Sequence, residues 1–230
     1  MKYFFYTIGA FLLSSCSNLY AQFAPQALLV NSTAIYKDSA SIIEWGSVCQ
    51  INRGWLNIVD TNLGKVSFGT AADALGKADG NVISLGDKGE AIFYFENPIN
   101  DQAGFDFAIF ENGFRNPLDS NEAFLELATV SVSNDGVTYY PFPSTSFIDT
   151  MSQIAGAGEY IDARKVDNLA GKYIASYGTP FDIDVLDIYP SLDKQTIRYV
   201  KILDVVGTIE KSFATFDKMQ HKINDPYPTP

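Results

Sequence analysis

Wherever apolar positions recur regularly along this chain, they recur with a period of two. In Gly104-Phe-Asp-Phe-Ala-Ile-Phe-Glu-Asn-Gly-Phe114, Phe105, Phe107 and Ile109 share one face while Asp106, Ala108 and Phe110 share the other, which predicts a strand. Apolar residues on both faces predict a central one. Glu111-Asn112-Gly113 breaks the run with turn-forming residues. Phe124-Leu-Glu-Leu-Ala-Thr-Val-Ser-Val-Ser133 predicts a second buried strand, closed by Asn134-Asp135-Gly136, a hairpin signal. Residues 137–142 read as its return strand, at an edge because Pro141 cannot donate to a ladder. Residues 82–85 and 90–95 flank the turn Gly86-Asp-Lys-Gly89 and predict a hairpin. Residues 197–203 form a strong strand pattern, and 41–45 a short one.

Between these runs the chain is irregular. Residues 46–69, 73–81 and 144–171 read as loops, with a helical turn near 163–169. Residues 181–187 alternate acidic and apolar residues. Strands joined by turns, with no long helical pattern, predict an all-β fold: one antiparallel β-sandwich with long loops, spanning 22–224.

The ends differ from this body. Met1-Lys2, an apolar run over 3–13 and small polar residues after it have the layout of a secretory signal peptide, and the run is too short to span a membrane. Two processing sites compete. Leu19-Tyr20-Ala21 suits an ordinary signal peptidase, giving a soluble secreted chain, whereas Leu13-Ser14-Ser15-Cys16 resembles a lipobox, giving a lipoprotein anchored through Cys16. Either way Cys49 is left without a partner, so the fold has to hold without a disulfide. At the other end, residues 225–230 are a Pro-rich tail with the look of a linker or of a chain that has lost a last strand.

A mature body of this size buries about 70% of its extended surface, enough for one core. The formal charge of −11 and the absence of a basic cluster argue against nucleic acid. An acidic surface fits divalent cations, neutral ligands or plain solubility.

Several strings together resemble a family of Bacteroidetes-type exported cell-surface proteins: Ala74-Leu-Gly-Lys-Ala-Asp-Gly-Asn81, Ser84-Leu-Gly-Asp87, Gly104-Phe-Asp-Phe-Ala-Ile-Phe-Glu-Asn112, Phe124-Leu-Glu-Leu127, Val132-Ser-Asn-Asp-Gly136, Asn168-Leu-Ala-Gly-Lys172, Gly178-Thr-Pro-Phe-Asp182 and Ile223-Asn-Asp-Pro226. The resemblance covers nearly all of the mature chain. It implies a jelly-roll sandwich at the cell surface, with some relatives beside outer-membrane uptake systems, corrinoid (vitamin B12) acquisition among them. Members continue past the Pro-rich segment into a Gly-Phe-Asp-Leu-Asp-type strand that this chain lacks. The hairpin at 130–139 and the strand at 198–202 are similar, more distantly, to elements of galactose-binding and discoidin modules.

The chemistry-bearing residues divide into acids and aromatics. Asp106, Glu111, Asn112 and Glu126 offer the carboxylate and amide oxygens that Ca²⁺ takes in sets of six to eight, and they serve equally as acceptors for backbone N–H groups at strand ends. Asp182, Asp184 and Asp187 form a sparser set. No EF-hand spacing is present, and zinc is disfavoured because His221 is the single histidine. Trp45, Arg53, Trp55, Tyr139, Tyr140, Tyr173 and Tyr177 lie in or near loops, where aromatic faces can stack on a sugar or another flat ligand. Filling the core is the ordinary alternative use of such side chains.

Catalysis has thinner support. A Ser-His-Asp triad would have to recruit His221 from a polar tail, and Glu111 with Glu126 could act on a glycoside as acid and base only at the right separation. The sequence reading is therefore a non-catalytic surface protein for a glycan or a corrinoid, with Ca²⁺ as a structural ion and an outer-membrane uptake complex as a possible partner. An adhesion domain without a small-molecule site and a carboxylate-dependent glycosidase are the alternatives.

Overall fold

A computed structural model describes residues 23–228 of the chain. Its strands are β1 (Ile35–Tyr36), β2 (Val48–Asn52), β3 (Glu90–Ile99), β4 (Phe107–Ile109), β5 (Phe114–Arg115), β6 (Glu122–Phe124), β7 (Ala128–Ser133), β8 (Tyr140–Pro141), β9 (Thr145–Ser146), β10 (Ile161–Asp162), β11 (Val166–Asp167), β12 (Tyr177–Phe181) and β13 (Ile197–Asp204). The fold is all-β, every strand pair is antiparallel, and the helical turns are short 3₁₀ pieces.

The main sheet has the order β2-β3-β13-β7-β8, and a second runs β1-β12-β4. Their facing sides meet in one core. Val130 and Val132 of β7 and Ile197 and Val200 of β13 cluster with Phe181 of β12, and Phe107 and Ile109 of β4 pack against them. Face-to-face packing of two sheets is the sandwich arrangement, and period-two alternation is what aims these side chains inward. The outer face of β13 carries Tyr199, tilted against Tyr94 with ring centres 5.3 Å apart, and Lys201, 4.1 Å from the Tyr139 ring centre.

A second core lies beneath the small β10-β6-β5 sheet. Leu125, Leu127, Ile161, Val166, Leu169, Val205 and Ile223 fill it. The two cores meet along the chain between Leu127, which belongs to the second, and Ala128, which belongs to the first.

Four sequence expectations need correcting. The central strand is β13, not the run at 104–114: only Phe107–Ile109 is a strand there, Gly104 has φ +97°, and Phe105 is exposed. The partner of β3 is β2, drawn from a stretch that reads as loop, while 82–85 forms no strand and is held by the Arg53 guanidinium through the Ser84 carbonyl. Arg53 also takes the Phe68 carbonyl at 2.8 Å, so it clips two loops together. Residues 41–45 form no strand, and Ile43 is almost fully exposed. Acid alternation over 181–187 is overridden by a 3₁₀ turn, Ile183–Leu186, capped by Asp182, whose carboxylate accepts the Asp184 N–H.

The run at 124–133 divides into the end of β6 and β7, the return strand is confined to Tyr140–Pro141, and the stretch 144–171 contains β9, β10 and β11, while other expectations hold. β8 is the edge strand reached through the turn at Gly136, β13 matches its strong pattern, and the helical turn near 163–169 is the 3₁₀ piece Ala163–Lys165.

Candidate cation site and the predicted ligand residues

The acidic residues suggested by sequence separate into two groups in space. Asp106 leaves the other three. Its carboxylate accepts the Gln102 N–H at 2.8 Å and the Ile183 N–H at 2.8 Å, which fastens the start of β4 to the 3₁₀ turn after β12. Among the described residues, Asp101, Asp106 and Asp182 are the set that brings three carboxylate oxygens within 4.8 Å of one another. Lys194 stands beside that set, 2.6 Å from Asp101, 3.0 Å from Asp184 and 2.6 Å from Asp187, and these carboxylates raise its pKa. This gathering already contains its own cation.

Glu111 and Glu126 belong to a different gathering. Its members come from five places: Asp87 after the 82–86 stretch, Glu111 after β4, Glu126 between β6 and β7, Asp204 at the end of β13, and Asp225 near the C-terminus. Backbone pairing brings them together. The Asp204 N–H donates to Gly89 O at 2.9 Å, which places it two residues from Asp87. The Val205 N–H donates to Leu127 O at 3.1 Å, and the Leu127 N–H is shared by both Asp225 carboxylate oxygens at 3.1 Å, which sets Asp204, Glu126 and Asp225 side by side. Glu111 is held by the Gly113 N–H at 2.6 Å, and a Cβ on Gly113 would come within 3.1 Å of the same oxygen.

The electrostatics of this group are uniform in sign. Burial pushes the Glu111 carboxyl up to about 8, with the Glu126 charge adding to it and the Asn112 and Gly113 N–H groups opposing it. Glu126 is raised by burial. Asp204 is raised well above the carboxylate range by burial first and then by Asp87 and Glu126. Asp225, 4% exposed, is raised by burial, then by Asp204, against the opposing Leu127 N–H.

None of Glu111, Glu126, Asp204 and Asp225 forms an ion pair with a lysine or arginine among the described residues. Among the described residues, the side chains of Glu126 and Asp204 accept no hydrogen bond either. Asp225 is buried, whereas Glu111, Glu126 and Asp204 are half-buried. Buried carboxylates in this condition either hold a proton or hold a cation. Asn112, the fourth residue of the sequence-suggested metal set, is exposed, and it reaches the group through its backbone N–H to Glu111.

No family model, no curated protein and no solved structure matches this chain. The functional reading rests on its own geometry.

The aromatic candidates do not converge. Trp45 packs on Phe110 with ring centres 5.2 Å apart, and Tyr177 packs on Tyr36 at 5.3 Å. Tyr140 lies against Tyr189 at 5.3 Å, and Tyr139 lies under Lys201. Tyr173 is 1% exposed, with its hydroxyl 2.7 Å from Thr33 Oγ1, so it is core. Trp55 pairs its backbone with Asp87 and carries Lys65 5.3 Å from its ring centre, half-buried on a loop where Phe68 is 65% exposed. A shallow depression of about 560 Å³, lined by Phe23, Pro25, Leu29, Asn31, Asn121 and Arg164, contains none of the predicted ligand residues.

His221 faces Asp217 at 3.3 Å, but Asp217 also accepts the Ser146, Met219 and His221 N–H groups, so it closes a turn. No serine hydroxyl is hydrogen-bonded to His221 among the described residues. Cys16 lies outside the described residues, and Cys49 is a free, half-buried thiol whose pKa burial pushes up to about 11.

Sequence reasoning missed Asp87, Asp204 and Asp225. Each closes an apolar stretch next to a glycine or proline: Leu85-Gly86-Asp87, Leu203-Asp204 with Gly207 following, and Asp225-Pro226. Only Asp204 ends a strand, so the three share no more than an aspartate after an apolar stretch, and their convergence has no sequence signal.

Proposed function

We propose that the chain is a non-catalytic, cell-surface binding domain of jelly-roll type whose folded body is completed by Ca²⁺. The observation that supports the cation is the group Glu111, Glu126, Asp204 and Asp225, one buried and three half-buried carboxyls whose pKa values all move up and which have no ammonium or guanidinium partner among the described residues. Oxygen-only donors from carboxylates and neighbouring carbonyls suit a hard ion of flexible geometry. No three of these four residues bring carboxylate oxygens within 4.8 Å of one another, so ion binding would require the side chains to move together.

The ligand is an extracellular glycan or corrinoid, delivered to an outer-membrane uptake complex, with the domain secreted or anchored through Cys16. The loop carrying Trp55 and Phe68 supports this part, because it offers one half-buried and one exposed ring beside Lys65. Calorimetry on the full chain tests both parts. Calcium added to chelator-treated protein is expected to release or absorb heat at a one-site stoichiometry or higher, and calcium-loaded protein is then titrated with cobalamins and glycans. No calcium heat removes the ion; no response to either ligand class leaves an adhesion or structural domain.

One observation favours a second reading. A carboxyl raised to about 8 beside another carboxyl is what a glycosidase uses as its acid. Turnover of a chromogenic glycoside that disappears in Glu126→Gln, with the fold intact by circular dichroism, would replace the binding reading.

A further inference from the structure

One side of the main sheet closes the core, and its other side carries a group of rings that the sequence did not single out. Register sets Tyr199 of β13 opposite Tyr94 of β3, and sets Lys201 in one row with Ile92 of β3 and Gln50 of β2. These positions alternate with Val200 and Ile202, which face the core, so they point outward. Tyr199 and Tyr94 lie with ring centres 5.3 Å apart, and two residues further along β13 the Lys201 ammonium lies 4.1 Å from the Tyr139 ring centre. Burial, then Glu90 and then Tyr199 raise the pKa of the Tyr139 hydroxyl, which joins the two pairs into one continuous surface. Of the aromatic residues suggested by sequence, Tyr139 is the one that belongs here.

The polar tips on this surface are unused. Among the described residues, the side chains of Gln50, Tyr94 and Tyr199 make no hydrogen bond, and the Tyr139 hydroxyl is enclosed without a partner. The Lys201 ammonium rests on the Tyr139 ring with Glu90 4.0 Å away, beyond hydrogen-bond reach. An enclosed hydroxyl costs free energy until it meets a partner, and a ligand hydroxyl reaching Lys201 and Tyr139 would supply one. Charge then selects the ligand. Along the span from Tyr199 to Leu203, the outward positions of β2, β3, β13 and β7 carry one acid, Glu90, and one base, Lys201, so this face is neutral in a chain of formal charge −11. A polyion would find a single opposing charge here, whereas an uncharged ligand needs none. Rings that end in free hydroxyls match a sugar, which has an apolar ring face and a rim of hydroxyls.

We propose that the outer face of β2-β3-β13-β7 binds a neutral oligosaccharide, with the Tyr94 and Tyr199 rings as its platform and Gln50, Lys201 and Tyr139 as its hydrogen-bonding groups. The inference rests on the binding reading above, selects the neutral glycan among its ligands, and gives it a contact surface apart from the Trp55 loop. Four strands about 4.8 Å apart make a surface about 14 Å across, which suits a chain of sugars better than a single one. Because the rings stand on paired strands, the platform is formed before the ligand arrives, and little ordering cost is added on binding.

Calorimetry on the full chain with cellohexaose, xylohexaose, mannohexaose and maltohexaose tests it. At least one is expected to bind, with an affinity that changes by less than about twofold between about 0.05 and 0.5 M NaCl, since salt does not screen an uncharged ligand. Tyr94→Ala and Tyr199→Ala are each expected to weaken that binding about tenfold or more, and Gln50→Ala about threefold. Leu118→Ser, at a 94% exposed site between β5 and β6, is expected to leave it unchanged. If the alanine variants of the tyrosines do not fold, Tyr199→Phe, which keeps the ring, is expected to give a loss of about threefold alongside Gln50→Ala. An oligosaccharide that binds these variants as tightly as the original chain, or that loses affinity only in Trp55→Ala, overturns the sheet platform and leaves the binding reading standing. Polygalacturonate bound more tightly than all four neutral probes overturns the neutral class. No response to any of the four removes the platform, and a response to cobalamin would then keep the binding reading without it.

Discussion

Two gatherings of acidic side chains in this fold differ in how their charge is met. Around Lys194, the carboxylates of Asp101, Asp184 and Asp187 share one ammonium, and Asp106 and Asp182 spend their oxygens on backbone N–H groups at the ends of β4 and β12. Around Asp204, the carboxylates of Glu111, Glu126 and Asp225 meet no lysine or arginine among the described residues, and their pKa values all move up. The first has the tighter oxygen spacing and resembles a metal site by distance alone. The second has no cationic side chain among the described residues, although the first also keeps one buried oxygen, Asp101 Oδ1, without a hydrogen-bond partner. The contrast teaches that close spacing of carboxylates and a missing cationic partner are separate properties, and that each has to be tested for itself.

The pH response breaks or sharpens this contrast most strongly. Glu111 sits at about 8 in the folded chain against an ordinary value of 4.5, so the folded state binds more protons than the unfolded one between those limits. Its contribution to stability is fully present below about pH 4.5 and is lost as pH rises through about 8. Urea denaturation in EGTA is expected to show a fall of about 3 kcal/mol between about pH 5 and about pH 8.5, the order implied by a shift of this size. Saturating calcium, which binds the ionised carboxylates, is expected to abolish the fall. A flat profile in EGTA would put these groups on the same footing as those around Lys194.

A smaller effect is expected from Asp204→Asn. Removing one uncompensated buried charge is expected to raise stability in EGTA by about 1–2 kcal/mol and to weaken the stabilisation by calcium. A loss of stability in EGTA would mean that the charge at Asp204 is already met. The smallest effect is expected from Asp101→Asn, which takes one partner from Lys194: a slight drop in Tm, equal in calcium and in EGTA. Should calcium change the size of that drop, the ion belongs at the Asp101 set instead.

How much of this was legible in the residues varies by element. β13 announced itself as an apolar run, but its register did not: a bulge between Ile197 and Tyr199 puts Ile197 in the core with Val200 and Ile202, where strict alternation would group it with Tyr199. The run at 104–114 looked stronger than it is, since apolar residues on both faces also describe a short strand whose outer side is covered by Trp45 on Phe110. β2 was hidden: Val48-Cys-Gln-Ile-Asn52 has a weak alternation, and it becomes a strand by lying along β3. The Arg53–Trp55 pair, attractive as a binding pair, separates into a loop clip and a ring beside Lys65 once the carbonyls of Phe68 and Ser84 surround the guanidinium.

Of the metal set suggested by sequence, Glu111 and Glu126 came together and Asp106 went elsewhere, because turns after β4 and β12 decide which carboxylates face each other. Local alternation of apolar and polar residues determined the all-β class, the strong strand at 197–204 and the edge position at Pro141, since a period of two is a property of neighbouring residues. The tertiary structure alone decided the order β3-β13-β7, the docking of Asp225 on an N–H 98 residues away, and therefore the carboxylate group itself. Such convergence is set by which strands pair and how the loops return, and no local spacing encodes it.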